Sequence, residues 1–109
     1  MLSLASGWFR SRLQAPEGAA ALEYLRKQRG LSAGTIESFE LGYAPEAWDG
    51  LLRHLQQVEG IDPSLMEAAG LVVPRKGGNG FYDRFRHRLM VPIHDRQGRI
   101  IGFGGRSLD

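Results

Sequence analysis

From Leu71 onward the apolar residues stop recurring at helical spacing and begin to alternate with polar ones, and this change of period constrains the fold more than any other feature. Before it, Trp48, Leu51, Leu52 and Leu55 fall at i, i+3, i+4 and i+7, one face of a helix. After it, Leu89, Val91 and Ile93 alternate with Met90, Pro92 and His94, and a second β-forming run follows from Arg99 to Gly104. The residues between them, Asp95-Arg96-Gln97-Gly98, suit a type I turn with glycine in the left-handed position, so the two runs read as a hairpin. Helices first and strands after define an α+β fold, short helices packed on a small antiparallel sheet that ends in a C-terminal hairpin. At 109 residues this is a single domain over 1–109, helical over about 1–70 and β over about 71–109.

Punctuation divides the helical part. The opening MLSLASGWFRSRLQ reads as an amphipathic helix, since no basic residue precedes its apolar part and Arg10 and Arg12 interrupt it, unlike a signal peptide. Glu17 to Gln28 carries an Ala21, Leu22, Leu25 stripe and stops near Gly30. Ser32 caps a short helix in which Ile36 and Phe39 share a face. Leu41 to Ala44 is too brief to assign, Pro45 marks a first helical turn, and the stripe above puts Trp48 in the core. Asp62-Pro63 opens a further helix with Leu65, Met66 and Ala69 inward and Gly70 closing it. "LVV" before Pro74 is a short strand leading into the turn RKGGNG. Pro92 cannot donate to a ladder, which makes its strand an edge or bulged there. No repeat, heptad array or low-complexity tract stands out.

Several chemistries are excluded. Hydrophobic residues at 42% and charged residues at 24% fit an ordinary globular chain, with no stretch for a membrane helix and so no membrane partner. Without cysteine there is no disulfide or thiolate site, which fits a cytoplasmic location. His54, His87 and His94 lack metal-ligand spacing, and no carboxylate pair or Ser-His-Asp set suggests catalysis, so no catalytic residue, metal or cofactor is expected within the chain. GFGGRS is not a dinucleotide fingerprint, nor KGGNG a P-loop. The charge is uneven. Residues 1–70 carry six basic against nine acidic side chains, a formal −3, and residues 71–109 eight against three, a formal +5. A positive half of this kind faces a polyanion or an acidic partner.

That half holds the candidate site. If Arg84 to Arg88 is extended, Arg84, Arg86 and Arg88 project together as a cationic rail while Phe85, His87 and Leu89 face the other way. Such a rail can grip successive phosphates by charge-assisted bonds, or be a solvated face partly paired with Asp83 and Asp95. Arg106 follows Gly104-Gly105, either a bulge ending a strand or a backbone nest for an anion. Trp8 and Phe9 beside Arg10 and Arg12 could stack on bases, though packing is the expected role.

The string YDRFRHRLMVPIHDRQGRIIGFGGR, with YLRKQRGLSAGTIESFELGYAPEAWDGLL before it and AGLV between them, resembles the signature of bacterial replicative DNA primases of the DnaG type over about residues 22–108. Val91 replaces a usual phenylalanine, His94 a common arginine and Gly34 a frequent glutamate, changes that touch packing, charge and local helicity. The resemblance implies the N-terminal subdomain of the RNA-polymerase core, beside a Toprim fold whose carboxylates bind the Mg2+ or Mn2+ of nucleotidyl transfer. It also implies a Zn2+ module and helicase-binding parts outside this chain, which then reads as an inactive fragment of a DNA-directed RNA polymerase that makes primers for replication. Arg29 in QRGLS, Arg106 in GFGGR and Arg84, Arg86 and Arg88 in RFRHR match family positions that line a groove for single-stranded DNA template or RNA-DNA primer-template, with one of the last three bracing the subdomain through Asp83 or a backbone carbonyl. The replicative helicase is an implied partner of the parent protein. A different reading of the same basic face is a protein-interaction module that docks an acidic domain.

Overall fold

The computed structural model describes residues 1–108; Asp109, counted in the charge above, lies outside them. Helix α1 (Leu2–Gln14) buries Ala5, Ser6, Phe9 and Leu13 on one face, as its amphipathic pattern requires. A 3-10 turn (Pro16–Gly18) leads into α2 (Ala19–Glu23), which runs into a π-helical turn at Tyr24–Gln28, and α3 (Ala33–Ser38) follows. Strand β1 (Gly42–Ala44) precedes α4 (Gly50–Arg53), another π turn (His54–Val58) and α5 (Pro63–Ala68). The remaining strands are β2 (Val72–Pro74), β3 (Phe81–Asp83), β4 (Arg88–His94) and β5 (Ile100–Ser107). The fold is α+β, as expected.

The chain contains a repeat that inspection of the sequence does not reveal. Residues 54–74 retrace 24–44 thirty positions later: a π turn, a left-handed glycine, a capped helix, a second left-handed residue and a three-residue strand. Gly30 (φ 65°) and Gly60 (φ 70°) turn the chain, so that Leu31 N–H donates to the Leu25 carbonyl (3.0 Å) and Ile61 N–H to that of Leu55 (2.9 Å). Ser32 then caps α3 by accepting from Thr35 N–H, and Asp62 caps α5 by accepting from Ser64 N–H. Leu41 and Leu71 N–H close the units onto the Ile36 and Met66 carbonyls at 3.1 and 3.0 Å. Only Leu25/Leu55, Gly30/Gly60, Glu37/Glu67 and Leu41/Leu71 are identical between the copies, so backbone geometry carries the likeness.

The sheet of order β1-β4-β5 separates two cores. One joins Phe9, Ala44 and Met90 to the second copy through Leu51, Leu55, Met66 and Leu71; the other joins Leu13, Tyr43 and Leu89 to the first through Leu25, Ile36 and Leu41. Leu25 and Leu55 are 2% and 0% exposed, and such burial is worth roughly 1.5 to 3 kcal/mol for each leucine. The hairpin forms as the turn chemistry predicts: Gly98 is left-handed (φ 82°), its N–H donates to the Asp95 carbonyl at 3.1 Å, and the Asp95 side chain accepts from Gln97 and Arg99 N–H.

Several expectations need correction. Leu41 to Ala44 contains β1, and Pro45 ends that stretch instead of opening a helix, so α4 starts only at Gly50 and Trp48 is left outside it, 45% exposed. Phe39 and Leu65 point outward, 64% and 55% exposed. Strand β4 is central, but β1 pairs only with Arg88 to Met90, so at Pro92 that side of β4 is locally an open edge. The expected bulge at Gly104-Gly105 is absent: these glycines pair in register with Val91 and Met90, and the irregularity falls between Ile93 and His94.

Candidate nucleic-acid interface

The link from Asp83 to Arg88 is shaped by a buried carboxylate. Asp83, 4% exposed, accepts from Leu51 N–H (Oδ2, 2.9 Å) and Leu52 N–H (Oδ1, 3.0 Å), which caps α4 from a different element, while its own N–H donates to the Trp48 carbonyl at 2.9 Å. Burial pushes the Asp83 carboxyl up to about 6, against the opposing pull of those two N–H groups and of Arg86. The chain then leaves β3: Arg84 N–H donates to the Leu71 carbonyl (3.0 Å), and His87 takes the left-handed conformation at φ 51°. His87 is held by its N–H on the Pro45 carbonyl (3.2 Å) and by a hydrogen bond between Nδ1 and the Tyr43 hydroxyl (2.9 Å). Burial, then Glu46 and Glu17, raise the Tyr43 phenol above its ordinary value, so it keeps its proton at neutral pH.

Residues 84–87 are therefore not an extended rail; the alternation expected there is broken by the turn at His87. Arg84, Arg86 and Arg88 nevertheless line one hollow of about 530 Å³, together with Glu46, Phe85, His87 and Gly105. The floor is close-packed at Gly105, where a Cβ would lie 3.0 Å from Cδ1 of the Phe85 ring, so a side chain there would have to push the ring aside. The Arg88 guanidinium donates to the His87 carbonyl at 3.0 Å and the Arg86 carbonyl at 3.4 Å, both within its own stretch of chain.

Arg29 and Arg106 line a second hollow of about 510 Å³, whose walls include Tyr24, Leu25 and Leu89. Arg106 pairs with Leu89 and Arg88 with Ser107, adjacent positions whose side chains leave opposite faces of the sheet. The five arginines thus form two groups flanking one end of the sheet. In the repeat, Arg26, Lys27 and Arg29 correspond to Gln56, Gln57 and Glu59, so the first copy alone carries lysine and arginine on its π turn and at the residue that follows it.

Among the described residues none of the five arginines is in an ion pair, whereas Arg12, Lys27, Arg53 and Arg99 are each paired with a carboxylate at 2.9 to 3.2 Å. Trp8 packs, edge-on to Phe9 at 5.7 Å and tilted against His54 at 6.0 Å, as expected of it. The aromatic residue missed by sequence reasoning is Trp48, which stacks on Tyr82 (centroids 4.8 Å apart, 24° between planes) with the Arg86 and Arg75 guanidiniums 4.4 and 5.4 Å from its ring centre. The helical period that includes Trp48 hid this; the signal against it was Asp49-Gly50, a more natural helix start than Pro45.

Two hollows lined by guanidiniums that form no ion pair among the described residues make a surface chemically suited to anionic oxygens. Residues 8–109 match the family described as the N-terminal domain of the DNA primase catalytic core. The DNA primase of Synechococcus elongatus is 54% identical over 108 residues, 99% of this chain and 16% of that protein. The RNA polymerase domain of Mycobacterium tuberculosis primase DnaG, solved with a double-stranded DNA oligomer bearing a 6-nucleotide overhang, superposes with a TM-score of 0.88 at 37% identity, over 98% of this chain and 32% of that one. A DnaG primase catalytic domain bound to single-stranded DNA superposes at 0.80 with 38% identity, over 95% of this chain and 33% of that one. The chain belongs to the family of DNA primase catalytic-core N-terminal domains, and it spans about one sixth of the length of the primase it matches.

Proposed function

We propose that this chain works as part of a DNA primase, where it binds single-stranded template or RNA-DNA primer-template and guides it to a Toprim active site outside these residues. The carrying observation is that Arg84, Arg86 and Arg88 line one hollow, and none of them is in an ion pair among the described residues. Phosphate contacts of this kind fix the register of a strand without reading its bases, which suits an enzyme that copies varied sequence. The Arg29 and Arg106 hollow on the other face of the same sheet end offers a second backbone contact. The DNA complexes of the M. tuberculosis and DnaG neighbours support a DNA partner, and the helicase remains part of the proposal for the parent protein. Mg2+ or Mn2+ would supply the Lewis acid for nucleotidyl transfer in the parent protein when bound, and Zn2+ a structural module; the part proposed for this chain is to bind and orient the strand. No helix among the described residues is long and apolar enough to cross a membrane, and the work proposed here is cytoplasmic. The test is fluorescence anisotropy with labelled single-stranded DNA at low salt. Binding that falls when Arg84, Arg86 and Arg106 become alanine supports the reading, and binding that is absent, or indifferent to those changes, removes it.

A further inference from the structure

Of the five arginines, Arg86 is the one whose guanidinium packs on aromatic rings among the described residues: its Cζ lies 4.4 Å from the centre of Trp48 and 5.3 Å from that of Tyr82. Its Nε is buried with no hydrogen-bond partner, so the rings and not an acceptor hold the near side of the head. The neighbouring Asp83 carboxylate accepts from Leu51 and Leu52 N–H and feels the Arg86 charge, but the two do not close into an ion pair among the described residues. The distinction matters chemically. An ion pair would fix the guanidinium and cancel its charge, whereas an aromatic face fixes it and leaves the charge and the outer N–H groups available to another anion. The exposure of Trp48, 45%, fits the same role, because an indole stacked on Tyr82 at the surface contributes little to either core.

We propose that Trp48 and Tyr82 are positioning residues that hold Arg86 oriented and unneutralised, ready for a backbone phosphate of single-stranded nucleic acid in the hollow it shares with Arg84 and Arg88. This rests on the nucleic-acid reading of that hollow. Arg75, 5.4 Å from the indole centre, adds a second cation from the β2–β3 turn.

The experiment is a salt titration of the 109-residue chain with fluorescein-labelled oligothymidylate, read by anisotropy, for the wild type, W48L, W48F, Y82L, R86A and W48L/R86A. W48L is expected to weaken binding about 5-fold, the equivalent of about 1 kcal/mol, and to lower the slope of log affinity against log salt by about 0.7, as R86A does. W48F should recover most of the loss, Y82L should repeat it, and W48L/R86A should be no weaker than R86A alone. Circular dichroism confirms that each variant is folded, and Y82L carries the test if W48L is not. Loss with R86A but not with W48L or Y82L overturns the proposal and leaves the hollow's function standing, as does a W48L loss that adds to that of R86A. If R86A binds like the wild type, the nucleic-acid reading of the hollow fails and this proposal with it.

Discussion

Replacing Asp83 with alanine should damage this protein more than any surface substitution, because its carboxylate joins β3 to the start of α4. Leu51 and Leu52, 2% and 8% exposed, would be left with N–H groups that water reaches poorly. Each hydrogen bond to a charged acceptor is worth about 1.5 to 3 kcal/mol, and removing a costly buried carboxylate offsets part of the loss, so D83A should cost about 2 to 4 kcal/mol at pH 7.5. For a domain of this size that lowers Tm by roughly 10 to 25 °C. The sign of the pH dependence follows from the raised Asp83 pKa, about 6 in the folded chain against an ordinary 3.8. The stability from this group is fully present below pH 3.8 and is lost as pH rises through 6. Between pH 4.5 and 7.5 the loss amounts to about 2 kcal/mol, and Asp83→Asn, which cannot titrate, should not show it. Urea unfolding followed by circular dichroism at both pH values measures the three proteins side by side. A D83A cost under about 1 kcal/mol, or a wild-type advantage over D83N that grows with pH, would refute the argument.

Other consequences are equally open to measurement. Gly60→Ala places a Cβ where nothing lies within 4 Å, so only the left-handed backbone is penalised, and thermal unfolding should show a loss of about 1 to 2 kcal/mol. Leu55→Ala should cost about 2 to 5 kcal/mol in chemical denaturation, whereas Leu65→Ala, at the exposed side of α5, should stay within about 0.5 kcal/mol. Tyr43→Phe removes the hydroxyl bonded to His87 Nδ1 and should cost about 1 kcal/mol by the same method.

What could be read from the sequence was whatever depends on neighbours along the chain. Ser32 as a cap, Asp95 to Gly98 as a hairpin turn and the apolar face of α1 are local features, and each is found where expected. What was missed depends on distant contacts. The three-residue β1 exists because β4 pairs with it. The start of α4 is set by Asp83, thirty-two residues beyond Leu51, so the periodicity around Trp48 pointed to the wrong first turn. His87 breaks the alternation of the arginines through a left-handed backbone tied to Pro45 and Tyr43, neither adjacent in sequence. The repeat stayed hidden because Gly70 in one copy is matched by Glu40 (φ 55°) in the other, a position where glycine is the usual signal.

The most direct test of the central claim is a titration of isotopically labelled chain with a single-stranded oligodeoxynucleotide, followed by two-dimensional NMR. Largest shifts at the side-chain guanidinium signals of Arg84, Arg86 and Arg88 (for Arg86 its outer Nη groups) and at the Gly105 amide, lost as salt is raised, are predicted. Shifts confined to the exposed Phe39, Ile93 and Ile101 surfaces, with the arginine signals unmoved at low salt, would contradict it.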